Sequence, residues 1–111
     1  MSRFEAMVES FNAGRVHDLV SSTTDDYHYS DPINGRVDGA VAHEDLMRSV
    51  LERFPDRRIE VVDCWIADGA EFAEYRWRGT PAGGGDPVEM LFAAILAFEG
   101  DRLRRWANFR G

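Results

Sequence analysis

From Arg57 onward, apolar and polar residues alternate with a period of two, the spacing that places side chains on one face of a β-strand. The pairs Asp68-Gly69 and Gly100-Asp101 interrupt the alternation, and these residue types tolerate the positive φ angles of tight hairpins. A longer connection over residues 80–87 contains three consecutive glycines. The pattern therefore predicts an antiparallel meander of four strands, over residues 59–67, 70–78, 88–98 and 102–110.

The first half of the chain has a helical period instead. Ser2 and Glu5 have the spacing of a capping box, and apolar residues recur at helical spacing up to Phe11, until Gly14 ends the pattern. A third helix is predicted over residues 41–54, because its apolar side chains share one face and Pro55 ends it. Between these helices we predict a short helix around 16–20, a polar segment over 21–26, a strand over 27–30 and a turn over 32–35.

Length and composition favour one small domain. The 111 residues, 44% of them hydrophobic, are enough for a single core but not for two. Three helices that cover one face of a strongly curved antiparallel sheet give an α+β fold shaped like a cone or barrel, with a cavity near its mouth. We therefore expect a single domain over residues 1–111, with a pocket between the helices and the sheet.

The charge balance argues against several classes of partner and of chemistry. The chain has 20 acidic and 13 basic residues, a formal net charge of -7, so neither nucleic acid nor an anionic membrane is an expected partner. All basic residues are arginine, and the absence of lysine excludes Schiff-base catalysis and a phosphate-loop lysine. Cys64 is the single cysteine and the histidines lack metal-ligand spacing, so we expect no disulfide, no metal site and no cofactor. Because no N-terminal apolar run resembles a signal peptide or spans a bilayer, we expect a cytoplasmic protein.

Three spaced segments resemble a known family. They are Tyr29-x-Asp31-Pro32, the helix between Gly39 and Pro55-Asp56, and the closing strand from Gly100 to Trp106. With the order of elements, they make the whole chain similar to nuclear transport factor 2-like domains of the SnoaL-like polyketide cyclase and ketosteroid isomerase type. The resemblance implies a cone-shaped α+β barrel that forms a homodimer through its outer sheet face. Residues of matching parity on that face are Leu91, Ala93, Ile95 and Ala97.

Asp31 and His43 are the predicted catalytic residues. Asp31 falls where ketosteroid isomerases keep the carboxylate that moves a proton between carbons, and a carboxylate at a strand end that faces an apolar cavity can act as a general base. The alternative is that Asp31 caps the turn at Asn34 and Gly35 through a side chain to backbone bond. His43 stands where the family usually has an aliphatic residue, so it could carry a proton with Asp31 or be a structural histidine near a helix start.

Several other family residues are replaced in this chain. The resemblance places Met7 where the isomerases have an oxyanion-hole tyrosine, and Ala94 where they have a protonated aspartic acid. Removing one such donor typically costs a factor of about 10² to 10³ in turnover, so steroid isomerisation by the usual mechanism is not expected. The segment Trp106-Ala107-Asn108 replaces the Trp-Arg-Asp pattern of limonene-epoxide hydrolases, and Asn108 replaces the acidic base of SnoaL-type cyclases.

Strand parity predicts the lining of the pocket, because residues two apart share a face. Ala73, Ala94 and Arg110 are predicted to face inward, on the same face as the strand residues named below as substrate-binding. The aromatic residues of that face could equally be core residues. Such a wall suits a flat hydrophobic molecule, for example a polyketide-like or carbonyl substrate. Two functions follow: a cofactor-independent isomerase or cyclase with Asp31 as general acid and base, or a non-catalytic hydrophobic-ligand-binding or dimerisation domain. The predicted substrate-binding residues are Met7, Phe11, Tyr29, Tyr75, Trp77, Met90, Phe92, Trp106 and Asn108.

Overall fold

Three helices and one six-stranded sheet form the structure, a computed structural model that describes residues 2–111. The helices are α1 (Arg3–Asn12), α2 (Val16–Leu19) and α3 (Ala40–Arg53). The strands are β1 (Thr23–Asp31), β2 (Gly35–Asp38), β3 (Arg58–Ala67), β4 (Ala70–Gly79), β5 (Val88–Glu99) and β6 (Arg102–Arg110). None of the helices described between residues 2 and 111 has the length and apolar character needed to cross a bilayer.

The sheet has the strand order β2-β1-β6-β5-β4-β3. The predicted meander is confirmed, because β3 to β6 pair consecutively and antiparallel. Strand β1 then adds parallel to β6, with Tyr29 beside Trp106, and β2 folds back antiparallel on β1. The two edge strands, β2 and β3, do not pair with each other, so the curved sheet is not closed. The α+β class and the cone-like architecture are as predicted.

Helix α1 starts where the sequence indicates. The Ser2 hydroxyl accepts a bond from the Glu5 amide at 3.0 Å, and the Glu5 carboxylate accepts one from the Ser2 amide at 2.9 Å, which completes the predicted capping box. The buried carboxylate of Glu71, on β4, accepts bonds from the backbone amides of Arg3 and Phe4. Since the first amides of a helix have no partner within the helix, Glu71 anchors α1 to the sheet.

Two features of the N-terminal half differ from the prediction. Strand β1 begins at Thr23 rather than Tyr27, because Thr23 pairs with Leu103 of β6 before a register shift that lies between Thr23 and His28. Strand β2 was not predicted, since its four residues carry little apolar character and are mostly exposed. In both cases the backbone pairs with a distant or neighbouring strand, and the apolar alternation that marks a strand is absent from the local sequence.

The concave face of the sheet forms one side of the core. Ala73, Tyr75, Trp77, Phe92 and Ala94 are buried on it, as parity predicts. Arg110, which has the same parity, is exposed at the end of β6. Helices α1 and α3 supply the opposite side of the core through Phe4, Val8, Phe11, Met47 and Val50. The helices do not fill the whole of the concave face, and the space left is the candidate site.

Candidate functional site

A cavity of about 280 Å³ lies between the concave sheet face, α3 and the end of α1. Its exposed lining residues, Ile33, Asn34 and Arg53, mark the end at which it meets solvent, which we call the mouth. Met7, His43 and Asn108 do not line it. The predicted site residues that do line it are Phe11, Tyr29, Asp31, Tyr75, Trp77, Met90, Phe92 and Trp106.

Asp31 ends β1 and belongs both to the turn and to the cavity wall. Its Oδ1 accepts bonds from the backbone amides of Ile33 at 2.8 Å and Asn34 at 2.6 Å. Its Oδ2 accepts bonds from the Tyr29 hydroxyl at 2.8 Å and from Asn34 Nδ2 at 3.0 Å. The predicted capping contacts are thus present, at Ile33 and Asn34 rather than at Asn34 and Gly35. The same carboxylate lines the cavity, so the two interpretations of Asp31 do not exclude each other.

Tyr29 holds Asp31 from the cavity side. Its side chain is buried and lines the cavity, and its ring stacks on His43 with centroids 4.1 Å apart. Burial raises the pKa of the Tyr29 phenol well above its ordinary value, and the neighbouring Tyr75 and Asp31 raise it further. The phenol therefore stays protonated and acts as a hydrogen-bond donor to Asp31.

His43 lies on α3, behind the cavity wall. It is fully buried, its Nδ1 is 2.8 Å from the Tyr27 hydroxyl, and its Nε2 has no hydrogen-bond partner among residues 2–111. Burial lowers the pKa of His43 from 6.5 to about 3, although the negative charge of Asp31 acts in the opposite direction. At neutral pH the imidazole is therefore uncharged, and Tyr29 stands between it and the cavity.

Asn108 orients two of the lining aromatic residues. The Tyr75 hydroxyl donates to Asn108 Oδ1 at 2.6 Å, and the Trp106 indole N–H donates to the same oxygen at 3.0 Å. Asn108 Nδ2 in turn donates to the Ser30 carbonyl on β1. Burial raises the pKa of Tyr75, with the charge of Asp31 as a further cause, so Tyr75 is a neutral donor in this network. The buried Asn108 amide thus orients the rings of Tyr75 and Trp106, although it does not itself line the cavity.

Sequence reasoning missed part of the lining. Met47, Val50 and Phe54 are among the apolar residues predicted to share one face of the third helix, but the sequence did not show that this face borders a cavity. Arg53 was missed altogether, although its position three residues after Val50 places it next to the same helical face. Asp31 and Arg53 are the charged side chains of the described lining, and the wall is otherwise mostly apolar.

The described residues offer no cluster of three or more His, Cys, Asp or Glu side chains that could hold a metal ion. The side chains that line the cavity supply a small set of polar and aromatic groups. These are one hydrogen-bonded carboxylate, neutral tyrosine hydroxyls and aromatic walls, and one exposed guanidinium. Such a set can bind a hydrophobic molecule and can accept or donate a proton at Asp31.

Comparison with solved structures shows the same fold in several proteins. A protein with a ketosteroid isomerase-like fold from Catenulispora acidiphila, crystallised with trimethylamine, is 14% identical with a TM-score of 0.88 and covers 97% of this chain and 84% of its own. An uncharacterized cystatin-fold protein from Novosphingobium aromaticivorans is 24% identical with a TM-score of 0.85, and the match covers 96% of this chain and 93% of that protein. A candidate polyketide cyclase from Xanthomonas campestris is 18% identical with a TM-score of 0.78, over 97% and 87%.

At these identities the structural likeness establishes the fold alone. No protein of curated function matches the sequence significantly. The profile of the SnoaL-like domain matches residues 4–106, a span that runs from the second residue of α1 to the middle of β6. The chain belongs to the SnoaL-like domain family.

Proposed function

We propose that this protein is a cofactor-independent enzyme that binds a compact, flat, hydrophobic carbonyl compound and uses Asp31 as general acid and base. The observation that carries the proposal is the position of the Asp31 carboxylate, on the wall of an otherwise mostly apolar cavity. The family, and the resemblance in fold to a candidate polyketide cyclase, support a reaction at an activated carbon. The cavity volume of about 280 Å³ lies near the lower end of ligand pockets, which favours a ligand of one or two fused rings.

The proton transfer needs a free lone pair on Asp31. The carboxylate accepts hydrogen bonds from four donor groups, so one of these donors must leave before the substrate can bind. The two backbone amides are fixed by the turn, and Tyr29 is buried. Asn34 is exposed and lines the mouth. The hydrogen bond from its side-chain Nδ2 to Asp31 is the longest of the four, at 3.0 Å. We infer that the substrate displaces the Asn34 side chain, after which Oδ2 takes a proton from the carbon beside the carbonyl. The electron pair of that C–H bond passes to the carbonyl oxygen, so the substrate becomes an enolate.

The proposal is tested with 2-tetralone, a compact ketone whose α-protons exchange with D₂O at a rate that NMR can follow. The wild-type protein should accelerate exchange, and Asp31→Asn should lose about a hundredfold or more of that acceleration. Asp25→Asn is the matched control, since it removes the same charge from a fully exposed position of the same strand. Exchange that is equal in wild-type and Asp31→Asn protein would overturn the assignment of Asp31.

A second candidate function, a non-catalytic ligand-binding domain, is favoured by the saturated hydrogen bonding of Asp31, which is what a turn cap requires. The same assay separates the two functions. If 2-tetralone binds in a calorimetric titration but its exchange is not accelerated, the cavity is a receptor and Asp31 is structural. If binding and acceleration occur together, the enzyme proposal stands.

We also propose that two copies associate through the outer face of the sheet. Trp65, Phe72, Leu91 and Phe109 are 38 to 52% exposed, and strand pairing places Trp65 beside Phe72. Leu91 and Ala93 of the predicted interface are exposed, and Ile95 and Ala97 are half-buried. Flanking side chains carry both signs of charge, as in the ion pairs of Arg76 with Glu60 and Glu89. A face with both charge signs can be complementary to a second copy of itself, which a symmetric dimer requires.

Light scattering after size-exclusion chromatography tests the dimer. The wild-type protein should have twice the chain mass of 12.6 kDa, and Phe72→Glu should be a monomer because it places a charge at the centre of the apolar face. Val41→Glu is the control, since it changes an apolar residue that is 76% exposed on α3. A wild-type monomer at micromolar concentration would refute the association.

A further inference from the structure

The mouth of the cavity holds a cation that the proposed chemistry at Asp31 does not use. Arg53 lines the cavity from the last turn of α3 and is exposed. Its Nε is 3.4 Å from the Ser49 carbonyl, and within residues 2–111 no carboxylate lies within ion-pair distance of its guanidinium. By contrast, Arg48 on the same helix pairs with Glu44 at 2.7 Å.

The backbone at Arg53 is held in place by the chain that follows β4. The Arg53 carbonyl accepts a bond from the Ala82 amide at 2.8 Å, so the connection between β4 and β5 fixes the end of α3. Phe54, the next residue, packs edge-on against Trp77 with centroids 4.9 Å apart, and both rings line the cavity. The base of the Arg53 side chain is therefore fixed at the mouth, while its guanidinium, apart from the Nε contact with Ser49, can meet a ligand.

We propose that Arg53 binds an anionic group on the ligand, so the ligand is an aromatic carbonyl compound that carries a carboxylate. This inference rests on the proposed function, because it concerns the ligand of the same cavity. A guanidinium binds a carboxylate through two parallel hydrogen bonds. Its planar donors therefore bind a carboxylate better than they bind a neutral group. The aromatic walls then receive the apolar body of the ligand, and the carboxylate stays at the solvent end.

The charges at the cavity give the ligand a direction. Asp31 and Arg53 both line the cavity but do not form an ion pair with each other. An anion is repelled by Asp31 and by the net charge of -7, so the guanidinium is the place at the cavity where an anion gains energy. With its carboxylate bound to Arg53, the ligand presents its carbonyl group, rather than an anion, to Asp31.

Two probes of the same size and shape test this inference by isothermal titration calorimetry: 2-naphthoate, which is anionic, and 2-acetonaphthone, which is neutral. The wild-type protein should bind 2-naphthoate more tightly, and added salt should reduce that difference. Arg53→Gln should weaken binding of 2-naphthoate about fivefold and leave binding of 2-acetonaphthone within about twofold of wild type. Arg104→Gln is the matched control, because Arg104 is exposed on β6, does not line the cavity and changes the net charge equally.

Each outcome has one meaning. Selective loss of 2-naphthoate affinity in Arg53→Gln supports the inference. If 2-acetonaphthone binds as tightly as 2-naphthoate, or if Arg53→Gln and Arg104→Gln weaken 2-naphthoate equally, Arg53 is no anion site and serves only the carboxyl end of the helix. In that case the proposed function of the cavity still stands. If neither probe binds, the inference and the proposed cavity function both fail.

Discussion

The burial of His43 makes the stability of this protein depend on pH in a defined direction. The pKa of His43 is about 3 in the folded protein, and its ordinary value, which applies to the unfolded chain, is 6.5. Because the folded value is the lower one, the unfolded chain binds the proton more readily. The free energy of unfolding is therefore highest above pH 6.5 and falls as the pH drops from 6.5 toward 3.

The magnitude follows from the size of the pKa difference. Each pH unit below 6.5 costs about 1.4 kcal/mol until the folded form also becomes protonated. A change from pH 7 to pH 5 should thus lower the free energy of unfolding by about 2 kcal/mol, a large share of the stability of a small domain. The pKa values of Glu5, Asp26, Glu44 and Asp56 are lowered in the folded protein, so these carboxylates contribute stability that is lost as the pH falls below their ordinary values of 4.5 for Glu and 3.8 for Asp, which lie below this range.

Urea unfolding at pH 7 and pH 5, followed by tryptophan fluorescence, measures the effect. His43→Leu removes the titrating group but leaves the Tyr27 hydroxyl without its partner, so the double variant Tyr27→Phe/His43→Leu is measured as well. Both variants should lose the 2 kcal/mol difference between the two pH values, whatever their stability at pH 7. His17→Gln, which removes an exposed imidazole, is the control. A wild-type protein equally stable at both pH values, or a double variant that keeps the full difference, would refute the reasoning.

Two further predictions concern buried polar groups. Glu71→Ala should lower the free energy of unfolding by about 2 kcal/mol in the same assay, because two amides at the start of α1 lose their acceptor, whereas Glu74→Ala, at a half-buried position of the same strand, should cost much less. Asn108→Ala should cost a similar 2 kcal/mol and also weaken binding of 2-acetonaphthone, because the Tyr75 hydroxyl and the Trp106 indole lose the oxygen that orients their rings. An Asn108→Ala variant with wild-type stability and affinity would show that packing alone sets the ring positions.

The sequence predicted the parts of the fold that local patterns determine. Strands β3 to β6 were predicted to within one residue at every end, because one face of each is apolar and each hairpin has its own turn residues. The start of β1 and all of β2 escaped prediction. Thr23 pairs with Leu103 on β6, and Val37 with Tyr29 on β1. Backbone pairing of this kind needs no apolar alternation, so the local sequence carries no sign of it.

For the candidate site, strand parity predicted which residues share a face but not which of them border the cavity. Alternation along β4 and β5 placed Tyr75, Trp77, Met90 and Phe92 on one face, and all four line the cavity. Whether a residue on that face borders empty space or packed side chains depends on tertiary distances, which no local pattern contains. For the same reason the sequence could not separate Asn108, which supports the wall from the core, from the residues that form the wall.

The proposed function makes Asp31 both a turn cap and a general base, and its hydrogen bonds are compatible with both roles. Three of its four donors are rigid, namely two backbone amides of the turn and the buried Tyr29 hydroxyl, so they hold the carboxylate at the cavity wall whether or not a ligand is present. Only the Asn34 side chain is exposed and free to leave. A ligand therefore displaces only the side-chain amide of Asn34, and the turn does not have to rearrange. Positioning of this kind is what a general base requires, so the contacts that stabilise the turn also fix the site.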